Sequence, residues 1–106
     1  MNNPGEAGEC LKVVHVIFEA RHEAEVIGLL HREVAVPRYM RLDDVAIAYE
    51  VERQGRRAYR MDGRNSLIVI VCTDEVAGRI VRGVAAVGKR VGDGVSAYAM
   101  PAEQAV

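Results

Sequence analysis

Two stretches of this chain are apolar from end to end, and they limit the folds open to it. Cys10 to Phe18 carries Leu11, Val13, Val14, Val16 and Ile17. Asn65 to Cys72 reads Ser66-Leu67-Ile68-Val69-Ile70-Val71 before the cysteine. Both are short, rich in β-branched residues and lack polar alternation, the signature of a strand covered on both faces. Lys12 lies near enough to its strand's end to reach solvent. His15, in the middle, is expected as a neutral, hydrogen-bonded histidine.

The rest of the chain must supply the cover. Residues 20–35 place Val26, Ile27, Leu29, Leu30 and Val34 at helical spacing, with Glu23 and Glu25 in the first turn and Pro37 as the stop. Tyr39 to Glu52 alternates as a strand, but its phase slips at Asp43-Asp44, which predicts a bulge. Residues 53–64 hold five arginines in twelve positions and two glycines, a composition that reads as a mobile loop. Thr73 is placed to cap a second helix that opens with Asp74 and Glu75. Its apolar stripe runs Val76, Ile80, Val81, Val84, Val87. The Gly92-Asp93-Gly94 turn follows, then a last strand from about Val95 to Met100, closed by Pro101.

The order β-α-β-β-α-β implies an α+β, ferredoxin-like sandwich: a four-stranded antiparallel sheet with two helices on one face. Residues 1–106 form one domain, with 1–9 as a polar lead-in, 46–64 as a projecting loop and 102–106 as a tail. Two helices cover one face of the sheet only. The doubly apolar strands therefore call for a second cover, and other copies of the chain are the economical one.

Composition narrows the function. Half the residues are hydrophobic, aromatics are 5% and there is no tryptophan, so Val, Ile, Leu and Ala build the core. A formal net charge of −1 gives no field for nucleic acid or anionic lipid. No apolar run is long enough to enter and cross a bilayer. The lead-in lacks a signal-peptide core. Cys10 and Cys72 are expected as free thiols in a reducing cytoplasm. His15, His22 and His31 match no zinc spacing, so no metal site is expected. No nucleophile–base set is recognisable, and Asp43 and Asp44, as strand neighbours, point to opposite faces. The chain does not read as an enzyme.

Gly92-Asp93-Gly94 is the most informative short motif. Main chain without Cβ atoms admits a ligand closely, and successive N–H groups in a turn can cradle an anion. Lys89 and Arg90 add positive charge. The same pattern also serves as a helix C-cap and turn. In the arginine segment, Arg57, Tyr59, Arg60 and Arg64 are candidate contacts for a small anion or an acidic partner, since arginine forks bind carboxylate and phosphate. A solvated loop is the plainer alternative. Tyr59 as a stacking platform for RNA fits poorly with a near-neutral chain.

Over about residues 10–103 the chain resembles the PII signalling proteins. The resemblance is carried by the element order, the long segment after the second strand, and above all Gly92-Asp93-Gly94 before a strand ending in Pro101. It implies a homotrimer that binds adenine nucleotides in clefts between subunits. By position, Arg38, Tyr39, Met40, Arg90, Gly92, Asp93 and Gly94 would line the nucleotide site, and 46–64 would be the T-loop that contacts a membrane transporter or an enzyme. Val95 stands where the family usually has a second lysine, which implies preference for ADP or AMP over ATP. The family's Gly-rich T-loop start, modifiable tyrosine context and C-terminal arginine tail are absent. The chain is most similar to the carboxysome-associated PII-like proteins, which implies bicarbonate as a second ligand near the loop arginines and a link to inorganic-carbon uptake. The alternative is a CutA-like trimeric divalent-metal-binding protein, with His15 and Cys72 as its one candidate pair for copper or zinc.

Overall fold

The computed structural model describes residues 10–34 and 38–103. The side chains of 49, 51, 53 and 58–63 fall outside that description. So do the lead-in 1–9, Pro37 and tail residues 104–106. Strand β1 is Leu11–Glu19, followed by a 3₁₀ turn Ala20–His22 and helix α1, Glu23–Glu33. Then come β2 Met40–Arg53, β3 Arg56–Thr73, helix α2 Asp74–Val91 and β4 Val95–Pro101. The strands form one four-stranded sheet in the order β2-β3-β1-β4, every pair antiparallel. This is the ferredoxin-like α+β architecture that the element order implies.

The core lies between the sheet and the two helices. Val14, Val16 and Phe18 of β1 and Ile68 and Ile70 of β3 meet Val26, Leu29 and Leu30 of α1 and Ala77, Ile80, Val84 and Val87 of α2. Each large side chain buried there contributes about 1.5–3 kcal/mol. The Thr73 hydroxyl accepts the Val76 N–H at 3.3 Å, so α2 is capped where the sequence places its start. The helices touch most tightly at Gly83, where a Cβ would lie 2.4 Å from Leu29 Cδ1. Gly83→Ala is therefore expected to destabilise by about 1–3 kcal/mol through overpacking, although alanine is the better helix former by about 1 kcal/mol. Chemical denaturation checks this, and a stabilised variant would mean that Leu29 has room to turn aside.

The opposite face of the sheet is open. Register places Met40 beside Val69, Val69 beside His15 and His15 beside Tyr98. Val13 lies between Val71 and Met100, and Leu42 lies opposite Leu67, which pairs with Ile17. Met40 is 62% exposed and Val71 61%, with Leu42, Tyr98 and Met100 all above 40%. The strands are thus apolar on both sides, as the sequence implies, but the described residues cover only one side. His15 sits in the middle of this face, stacked on Tyr98 with ring centroids 5.0 Å apart, and its buried Nδ1 has no hydrogen-bond partner among the described residues. The hydrogen-bonded histidine expected at this position is not what the described residues provide.

The second departure is the arginine segment. Residues 53–64 are not an irregular loop. The ladder between β2 and β3 continues from Ile47↔Asp62 to Arg53↔Arg56. Gln54 and Gly55 close it with φ 53° and 74°. A two-residue turn with both central φ positive matches strand twist and holds a tight hairpin together. Because β1 ends at Glu19↔Asn65, the hairpin runs on past the sheet as a two-stranded ribbon. Reading charge density as mobility overlooked this turn and the pairing that it sets. The phase slip was legible: Asp43 and Asp44 oppose one residue of β3, and Asp44 adopts φ 56°.

Candidate functional site at the glycine bend

The two glycines of the bend do different jobs. Gly92 ends α2: its N–H donates to the Gly88 carbonyl at 2.9 Å, and its φ is 98°. Among the described residues a Cβ on Gly92 would meet nothing within 4 Å, so the main chain there is open to an incoming group. Gly94, at φ 83°, is covered by its own chain: a Cβ would lie 2.7 Å from the Glu19 carboxyl carbon. Its carbonyl accepts the Glu19 N–H at 2.8 Å, which ties the bend to the end of β1. Gly92 is thus both the helix cap and the open main chain, whereas Gly94 is closed over by Glu19.

Asp93 is clamped between them. Arg21 Nη2 donates to Asp93 Oδ1 at 2.9 Å while Arg21 Nε donates to Glu19 Oε2 at 2.5 Å. The Glu19 carboxylate, more than Asp93, raises the Arg21 guanidinium's hold on its proton. His22 is buried, and its Nε2 lies 2.9 Å from the Asp93 carbonyl. A carbonyl only accepts, so Nε2 carries the proton and donates. Glu19, Arg21 and His22 thus hold the bend from one side. No local pattern could have named them, because the contacts bridge 71 and 72 residues of sequence.

The charged band continues across the end of the sheet. Arg41 pairs with Glu23 and, at 2.8 Å, with Asp43. The Ser66 hydroxyl donates to Asp43 at 2.7 Å, and this bond, with Arg41 second, lowers the Asp43 carboxyl below the usual range. Arg41 also stands 5.8 Å from the Phe18 ring centroid, a cation–π distance. On the far side of the bend, Arg90 pairs with Glu25. Lys89, Gly92 and Ser96 line a groove of about 430 Å³ between α2 and β4.

Arg38, Tyr39 and Met40 are not at the bend. They line a separate groove of about 620 Å³ with His31, Val69 and Val71, at the β2 edge. The bend adjoins Phe18↔Val95 at the β4 edge. The four strands separate the two edges by about 14 Å at ordinary strand spacing. Within one chain the two groups therefore line separate grooves. The β2 residues of the same chain nearest the level of the bend are Leu42 to Val45. Arg57 lies near the hairpin tip and pairs with Glu50 at 3.3 Å, while Arg64 stands at the base of the ribbon, next to Asn65, which is opposite Glu19. The side chains of Tyr59 and Arg60 lie outside the described residues.

The candidate metal pair separates. Cys72 stands opposite Lys12, three residues along the ladder from the His15↔Val69 pair, and an odd offset puts its side chain on the helix face and His15 on the open face. Cys72 packs against the core, and burial pushes its thiol upward. Among the described residues no group of three His, Cys, Asp or Glu side chains is placed to hold a metal ion. No described helix is long and apolar enough to cross a membrane.

Comparison with known proteins finds likeness in fold. No family model matches the chain, and no curated protein sequence matches it. A 2.3 Å structure of CPII, a nitrogen regulatory PII-like protein from Thiomonas intermedia K12 bound to ADP, AMP and bicarbonate, aligns with a TM-score of 0.64 at 16% identity, covering 90% of this chain and 94% of that one. A second structure of CPII with the same ligands gives 0.59 at 14% identity, over 91% and 96% of the two chains. CPII bound to ADP and bicarbonate gives 0.56 at 17%, over 89% of each.

Proposed function

We propose that this chain is a PII-like regulatory protein, not an enzyme, that binds ADP or AMP, and ATP less well, in clefts between the subunits of a cytoplasmic homotrimer. One observation carries the reading: the two groups of candidate nucleotide residues occupy opposite edges of the sheet, so that a site using both needs a second copy. The open apolar face supplies the surface on which copies meet. Within the cleft, the exposed main chain at Gly92 receives phosphate oxygens, and Arg90 leaves Glu25 to pair with them. Arg38, Tyr39 and Met40 of another copy close the site. The likeness to CPII, whose structures hold ADP, AMP and bicarbonate, supports this ligand class.

Bicarbonate is the second ligand, held by ribbon arginines, and the 46–64 hairpin carries the signal to a partner such as an inorganic-carbon transporter, as in a carboxysome-linked system. Calorimetric titration with ADP and AMP, each with and without bicarbonate, tests this. Saturable heat with a dissociation constant near micromolar, about −8 kcal/mol, is expected for ADP. Absence of heat with either nucleotide would remove the reading.

A further inference from the structure

We propose that Glu19 and Arg21 form a built-in competitor for the ligand's phosphate, and that Arg21 is the cation that receives the phosphate once Glu19 gives way. The inference rests on the nucleotide-binding reading above. Glu19 Oε1 and Oε2 would lie 2.9 and 3.0 Å from a Cβ placed on Gly94, so a carboxylate already covers the second half of the glycine bend. Carboxylate and phosphate oxygens seek the same donors. Arg21 Nε holds that carboxylate at 2.5 Å, and Arg21 Nη2 reaches Asp93 at 2.9 Å. A guanidinium has five N–H donors in a fork that suits either anion.

The Arg21 side chain is 57% exposed and Glu19 28%, so an incoming anion reaches the arginine from solvent and displaces the glutamate without breaking the core. The backbone tie, Glu19 N–H to the Gly94 carbonyl, stays in place when the side chain swings out. No covalent step is involved. The exchange is one anion for another on the same cation, and it selects by charge: the more negative the ligand, the more it feels the loss of Glu19.

The test is calorimetry of ADP, AMP and adenosine with wild type, Glu19→Gln and Arg21→Ala. Glu19→Gln keeps the side chain's shape, removes its charge and turns one acceptor oxygen into an NH2 donor. The expected result is ADP binding tightened at least fivefold, AMP by less, and adenosine within twofold. Arg21→Ala weakens ADP at least tenfold and leaves adenosine within twofold. Thermal melts show whether each variant is folded. A folded Glu19→Gln whose ADP affinity stays within twofold, or whose ADP and adenosine affinities move together, overturns the competitor and leaves the nucleotide reading standing. Failure of wild type and both variants to bind any nucleotide overturns both.

Discussion

Val69→Asp is expected to turn the assembled protein into a folded single chain. Val69 sits in the middle of the open sheet face, with Met40 on one side and His15 on the other. Its own chain covers it only in part, and its neighbours Met40, Val71 and Tyr98 are largely bare. If copies pack over this face, each must bury the new carboxylate in apolar surroundings, which costs several kcal/mol per chain. No such cost arises in the single chain, where the carboxylate meets water. Sedimentation should give a trimer mass for wild type and a single-chain mass for the variant, with unchanged far-ultraviolet circular dichroism. Arg57→Asp on the ribbon serves as the control and should keep the wild-type mass. A Val69→Asp protein with wild-type mass would place the assembly surface elsewhere.

Phe18→Ala is expected to remove about 3–5 kcal/mol of stability, out of a total of about 5–15 kcal/mol for a domain of this kind. Phe18 is the only phenylalanine in the chain and has no exposed surface. Its ring meets the helices on one side and lies near the Arg41 guanidinium, so truncation opens a cavity and removes the cation–π partner together. It also sits one residue before Glu19, which ties down the bend. Equilibrium denaturation measures the loss. A change below about 1 kcal/mol, the scale of a surface substitution, would contradict the packing described.

Much of this architecture was legible in the residues, and the reasons are physical. Unbroken β-branched runs announced β1 and the inner half of β3, because no other element hides both faces. Thr73 before Asp74 and Glu75 announced α2. The slip at Asp43-Asp44 announced a bulge because side-chain parity is strict in a strand. The ribbon from Arg53 to Arg64 was hidden by its charge. Backbone pairing and the Gln54-Gly55 turn hold it, and neither shows in composition. The bend was recognisable as glycine-rich main chain, but its clamp was not, since Glu19, Arg21 and His22 reach it only through folding. Likewise His15 and Cys72 looked like one ligand pair until the β1–β3 register put them on opposite faces. Nor could the sequence show that Arg38, Tyr39 and Met40 lie at the sheet edge opposite the bend within one chain, because strand order is set only by folding.

The account depends on a nucleotide site that two copies complete. Titration of ADP into wild type and into two folded, monomeric variants, Val69→Asp and Val13→Asp, addresses this most directly, because Val69 lines the groove of Arg38 to Met40 whereas Val13 shares the open face but lines neither groove. The account predicts saturable binding to the wild-type assembly and at least a hundredfold loss in each monomer, about 2.8 kcal/mol. Equal ADP affinity in a proven single chain would contradict it.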